Sequence, residues 1–139
     1  MSYEVWGEPP DSPFDAAMEA GWIDPIDISK ATIDVMNERD RQCNEEGFLP
    51  THDDKYVKGE LPLAAACYVF QAGIVTNLVS EGRIKNNAED YGTTKTPELW
   101  PWDSVWWKPT SPRKDLVRAA ALIIAEIERL DRADIAATI

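Results

Sequence analysis

The chain has 139 residues, enough for one domain with a buried core and too few for several. Apolar residues make up 44% and charged residues 28%, ordinary globular proportions, while 25 acidic against 14 basic residues leave a formal net charge of −11. That charge repels phosphate backbones and argues against general DNA or RNA binding. It serves solubility first, with DNA mimicry toward a basic partner as the sharper alternative.

No window approaches the run of about 18 apolar residues that a membrane span needs. The opening MSYEVWGEPPDSP has neither a basic region nor an apolar core of the secretory kind, so the expected setting is the cytoplasm. The two cysteines, Cys43 and Cys67, lie within helical patterns and read as buried free thiols of a reducing compartment.

Residues 1–12 read as an irregular arm. PFDAAMEAGW, Pro13 to Trp22, predicts a short helix with Ser12 as cap, Pro13 in the first position and Gly21 past the end. In the next segment Ile28, Thr32, Val35, Met36, Arg39 and Cys43 fall on one stripe, with the acids and Arg41 facing away. This predicts a helix from about Asp27 to Glu46 that buries the stripe and stops at Gly47. Phe48 to Gly59 is polar and rich in turn residues, and reads as a loop.

A second long helix opens at GELPLAAACY. Pro62 is tolerated only in its first turn, and the helix is apolar almost all round. Gly73, Ile74 and Val75 weaken it, so its end is expected between Ala72 and Val79. Residues 83–98 are poor in apolar side chains and read as a loop. After WPWDSVWWKP, which gathers four of the six tryptophans, Ser111 and Pro112 mark the start of a last helix. Its stripe of Leu116, Ala119, Ala120, Ile123, Ile124, Ile127 and Leu130 predicts the face turned to the core. No strand pattern, internal repeat or heptad period stands out. The expected architecture is one all-α domain over 1–139: an N-terminal arm and short helix over 1–27, then a core bundle over 28–132 with the Trp-rich segment packed on it.

Two constellations carry possible chemistry. In ERDRQ, HDD and GEL, the residues Glu38, His52, Asp53, Asp54 and Glu60, with Asp115 of the last helix, are candidate ligands for a divalent metal. Glu38, His52 and Asp53 are the candidate catalytic groups. The plainer alternative is that the acids cap a helix N-terminus and tie the loop down. In the tryptophan segment and its basic tail, Trp106 and Trp107 offer stacking faces. Lys108, Arg113 and Lys114, with Arg39 and Arg41, offer phosphate contacts. The alternative there is that at least two of the four indoles clamp the segment onto the helices. Phosphate-binding glycine loops, nucleophile elbows and the HExxH zinc motif are absent.

The series ERDRQ, EEGF, HDD, GELPLAAACY, WPWDSVWWKP and DLVRAAALIIAEIERLDR resembles a widespread set of small phage and prophage proteins, over roughly Ile28 to Arg132. The resemblance implies a phage accessory protein acting in the host cytoplasm. More distantly the chain is similar to the MazG-like all-α nucleotide pyrophosphohydrolases, which hold Mg²⁺ with paired carboxylates on facing helices. It departs from them at Leu63 and Ala64, three and four residues after Glu60, and in the three turns between Asp115 and Glu126.

The leading expectation is therefore an anti-defence protein that sequesters a nucleotide-type small molecule, with no cofactor. A Mg²⁺-dependent pyrophosphohydrolase and an acidic inhibitor of a host defence protein are the alternatives. A homodimer that buries the apolar GELPLAAACY helix is expected.

Overall fold

A computed structural model describes residues 13–22, 28–44, 50–85 and 95–138. These form helices α1 (Pro13–Glu19), α2 (Lys30–Asn44), α3 (Glu60–Ser80) and α4 (Pro112–Thr138), with short 3₁₀ segments at Pro50–Lys55 and Ser104–Trp106. Among the described residues there is no strand. The chain is a small all-α bundle of three long helices and one short one. The N-terminal arm, the Ser12 cap, residues 45–47 at the expected end of α2 and most of the loop over 83–98 lie outside the described residues.

The helix ends follow local chemistry. Gly21 adopts φ 79° and Gly82 φ 71°, left-handed positions that favour glycine. Trp22 N–H then reaches back to Ala17 O, and Arg83 N–H to Leu78 O, each at 3.0 Å, so both helices close with carbonyls satisfied. Ser29 Oγ caps α2 by accepting Thr32 N–H at 3.2 Å. Ser111 Oγ does the same for Lys114 N–H at 3.3 Å, with Pro112 in the first helical position as expected. α3 runs through Gly73 to Ser80, past the predicted end, because Val75 is buried and anchors the last turns. The segment read as a plain loop holds the first 3₁₀ segment, and α4 takes in the residues beyond Arg132.

α4 is central. It packs against α3 along one side, against α2 along another, and on the 3₁₀ segment at Pro50–Lys55, while α1 covers Ile33 of α2 with Met18. The larger core cluster joins Ala64, Ala65, Cys67 and Tyr68 of α3 to Ala119 of α4 and to Trp100 and Trp107, with Trp102 and Leu122 packed against it. The side chains at the helix contact are small, so α3 and α4 approach closely and the indoles fill what remains.

Three expectations are overturned. On α2 the expected stripe turns inward only in part: Ile28, Val35, Arg39 and Cys43 are half-buried and Thr32 and Met36 exposed, while Ile33, Asp34, Asn37, Glu38 and Gln42 are buried. Both stripes have helical period, so periodicity finds two faces. The polar face is accommodated inside because Asp34, Glu38 and Gln42 find partners there.

On α4 the buried positions are Asp115, Val117, Ala119, Ala121 and Ala125; of the expected stripe only Ala119 is buried, Ala120 and Ile124 are half-buried, and the large residues Leu116, Ile123, Ile127 and Leu130 are exposed. With half-buried Ala120, these outward residues recur at alternating steps of four and three, a heptad spacing that the sequence reading denied. Finally, α3 is long and apolar enough to cross a membrane by length and composition, since no charged residue lies between Leu61 and Ser80.

Candidate functional site

The motif residues on α2, the 3₁₀ segment and α4 meet in a belt of ion pairs. Arg39 is the hub: its guanidinium bonds Glu128 at 2.9 Å and Asp53 at 3.2 Å, tying all three elements together. Burial alone would lower its pKa. The hydrogen bond to Glu128 and the neighbouring negative groups more than offset this and hold Arg39 above its ordinary value. Arg132 bonds Asp54 at 2.8 Å and adds a second link from α4 to the same segment. Glu38, almost fully buried, is closed by Arg41 at 2.7 Å and by the Gln42 amide at 3.3 Å. Asp34 takes Lys30 and Arg113, each at 2.8 Å.

Among the described residues Asp115 is the one fully buried acid, at 0% exposure. It accepts Thr110 N–H at 3.0 Å and lies 3.8 Å from Arg118, so it folds the tryptophan segment back over the first turn of α4. Arg129 pairs with Glu126, and Arg83 lies 3.6 Å from Glu81. All seven arginines of the chain thus stand within ion-pair distance of a carboxylate of the same chain.

The candidate metal ligands do not converge. Among the described residues no three His, Cys, Asp or Glu side chains come together in a way that could hold a metal ion. Glu38, Asp53, Asp54 and Asp115 each face a nitrogen of this chain, and Glu60 accepts Lys58 N–H at 2.6 Å, bracing the entry to α3. His52 lies with Nδ1 at 3.7 Å from Asp53 and its ring edge-on to Tyr56. The donor set among the described residues does not fit a Mg²⁺ site.

The tryptophan segment divides. Trp107 stacks on Tyr68 at 4.8 Å between ring centroids, and Trp100 meets both rings edge-on at 5.1 and 5.5 Å. Trp102 bridges Trp100 to Tyr56. Trp100 Nε1–H donates to Asp103 O at 3.1 Å, closing the turn on itself. Arg118 lies over the Tyr68 ring at 5.1 Å and donates to Lys108 O at 2.7 Å. Burial pushes the Tyr68 phenol up, and Arg118 partly opposes it. Burial likewise raises the thiols of Cys43 and Cys67, which are free.

Three of the four indoles thus serve as the lid, and Trp106 alone is exposed, at 64%, with Lys108 Nζ 5.9 Å from its ring. Of the proposed ligand contacts, Trp106 and Lys108 come together on the surface. Trp107 faces the core, Arg39 and Arg41 belong to the ion-pair belt, and Arg113 reaches Asp34. Lys114 stands in the first turn of α4, its backbone N–H on the Ser111 cap.

Sequence reasoning missed the outward aliphatics of α4 and, on α3, exposed Val69, Phe70 and Ile74. The available signal was residue size: alanines cluster on one face of each helix and large side chains on the other. It also missed Arg118, which sits within the quoted DLVRAAA motif. The chain matches no protein-family model, no curated protein and no solved structure.

Proposed function

We propose that this chain is a non-catalytic accessory protein that binds another protein through its acidic surface, as an inhibitor occupying a basic site on its partner. One observation carries the reading: every arginine is already engaged by a carboxylate of the chain. No guanidinium is left to receive a phosphate without breaking an ion pair. Acids such as Glu19, Glu98, Asp131 and Asp134 meanwhile stand exposed, in a chain of net charge −11. A surface of that sign speeds encounter with a basic partner and rejects acidic ones. The resemblance to small phage proteins supports a host defence protein in the host cytoplasm as the target.

The test is chromatography of a bacterial lysate over the immobilised chain with a rising salt gradient. The reading expects a stoichiometric basic protein, released by salt and displaced by excess duplex DNA. A bound protein indifferent to both salt and DNA would overturn it.

A second reading, sequestration of a nucleotide, is favoured by the exposed Trp106 with Lys108 beside it. It would use the indole face for the base and the ammonium for the phosphate. Loss of nucleotide binding in Trp106→Ala, with the fold intact, would separate it from the first.

A further inference from the structure

We propose that the outward stripe of α4 is the seam at which a second copy of this chain docks, in an antiparallel helix pair about a two-fold axis. The α3–α4 contact is made by Ala64, Ala65 and Ala119, with the rings of Tyr68, Trp100 and Trp107 beside it. The aliphatics that normally fill a core stand outside instead: Leu116, Ile123, Ile127 and Leu130 on α4 are each 45–53% exposed.

With Ala120 these residues follow the four–three alternation that lets one helix lock into another. An isolated exposed leucine is ordinary, but an aligned seam of four over two heptads is not. The seam spans about 21 Å of helix at 1.5 Å per residue. Val69, Phe70 and Ile74 on α3 supply further apolar surface on the neighbouring helix, and Phe70 is 69% exposed. The four seam aliphatics alone offer on the order of 400 Å² per protomer, about half of the roughly 800 Å² of a standard interface, and the rim around them would supply the rest.

Charge selects the occupant. None of the five seam positions, Leu116, Ala120, Ile123, Ile127 and Leu130, carries charge, so two chains of net charge −11 can meet along an uncharged strip. An antiparallel crossing sets the N-terminal end of each α4 dipole beside the C-terminal end of the other. A parallel crossing would place acids on acids, and its helix dipoles would repel. An anionic lipid surface is disfavoured by the same net charge.

The seam and the acidic surface proposed for the partner are separable by salt. Salt screens repulsion between like copies and strengthens the dimer, whereas it weakens an acidic–basic complex.

The experiment is sedimentation of the full chain, with Ile123→Glu in the seam and Val57→Glu as an exposed control away from it. The wild type is expected to run at twice its 15.6 kDa chain mass. Ile123→Glu should weaken the dimer by roughly 100-fold or more while keeping its far-ultraviolet helicity, because its glutamate is buried only in the pair. Val57→Glu should leave the dimer unchanged. A cysteine at position 123 should crosslink two copies on mild oxidation, and one at position 57 should not. A wild type monomeric up to about 0.1 mM would overturn the proposal. So would a dimer untouched by Ile123→Glu, or a monomer that floats with phosphatidylcholine vesicles.

Discussion

Two sides of the α3–α4 pair treat large apolar side chains in opposite ways. On one, Trp100, Trp107 and Tyr68 interlock and Trp102 packs over them, so the Trp-rich segment becomes a lid. On the other, Leu116, Ile123, Ile127 and Leu130 stand in solvent along the length of α4. Composition does not separate them, since both are runs of strong core formers. What separates them is the room each leaves. Alanines bring the two helix backbones close, and planar rings fill the wedge above the contact, so the branched aliphatics have no place inside. A helix face can thus be strongly apolar and still belong to the surface, and its purpose must then be sought in what covers it.

The contrast can be broken first at the lid. Trp107→Ala removes a ring stacked on Tyr68 and should cost about 3–5 kcal/mol in urea unfolding, while Trp106→Ala should stay within about 0.5 kcal/mol. Equal losses at the two positions would mean that the lid does not divide as described. Asp115→Ala comes next. It deletes the acceptor for Thr110 N–H and strands Arg118 beside the Tyr68 ring, at a cost of about 3 kcal/mol by the same measurement.

The small-residue contact can be tested by filling it. Ala119→Leu should destabilise by about 1–3 kcal/mol through overpacking, whereas Leu116→Ala, measured in dilute monomer, should change stability by well under that. The reverse order would place the core on the other face of α4.

The smallest effect is in pH. The folded Tyr68 phenol is raised, first by burial, so its neutral form is the one that the fold favours. Its contribution is therefore complete below the unfolded value of about 10 and is lost as pH rises through the higher folded value. Cys43 and Cys67 shift in the same sense. Stability should fall on alkaline titration, and Tyr68→Phe should flatten the fall above about pH 10.

Much of the fold was legible. Ser111 and Pro112 announced the start of α4, Gly21 the end of α1, and Pro62 the first turn of α3, because caps and breakers act through the backbone within a few residues. The inward face was not legible. On α2 a polar stripe and an apolar stripe share one period, and one of the groups that holds the polar stripe, Arg113 on Asp34, lies 79 positions away.

The candidate site was legible as a set of residues and not as a role. ERDRQ, HDD and EIERLDR do meet, but as Arg39 with Asp53 and Glu128, and Arg132 with Asp54, which latch three elements together. Acids and arginines that find each other across a bundle look, in sequence, like the same residues awaiting a metal or a phosphate. The tryptophan segment was read correctly as a clamp for at least two indoles. The choice of Trp107 as a stacking face missed that Tyr68 would already be there.

The central claim is that the arginines and acids of these motifs hold the fold and not a ligand. Thermal denaturation of the purified chain against linear and cyclic nucleotides, with and without Mg²⁺, tests it most directly. A ligand at about 100 times its dissociation constant would add roughly 2.7 kcal/mol and raise the melting temperature by several degrees. The account predicts an unchanged melting temperature throughout and nucleotides recovered intact. A rise of several degrees with any one of them, or cleavage that appears only with Mg²⁺, would contradict it.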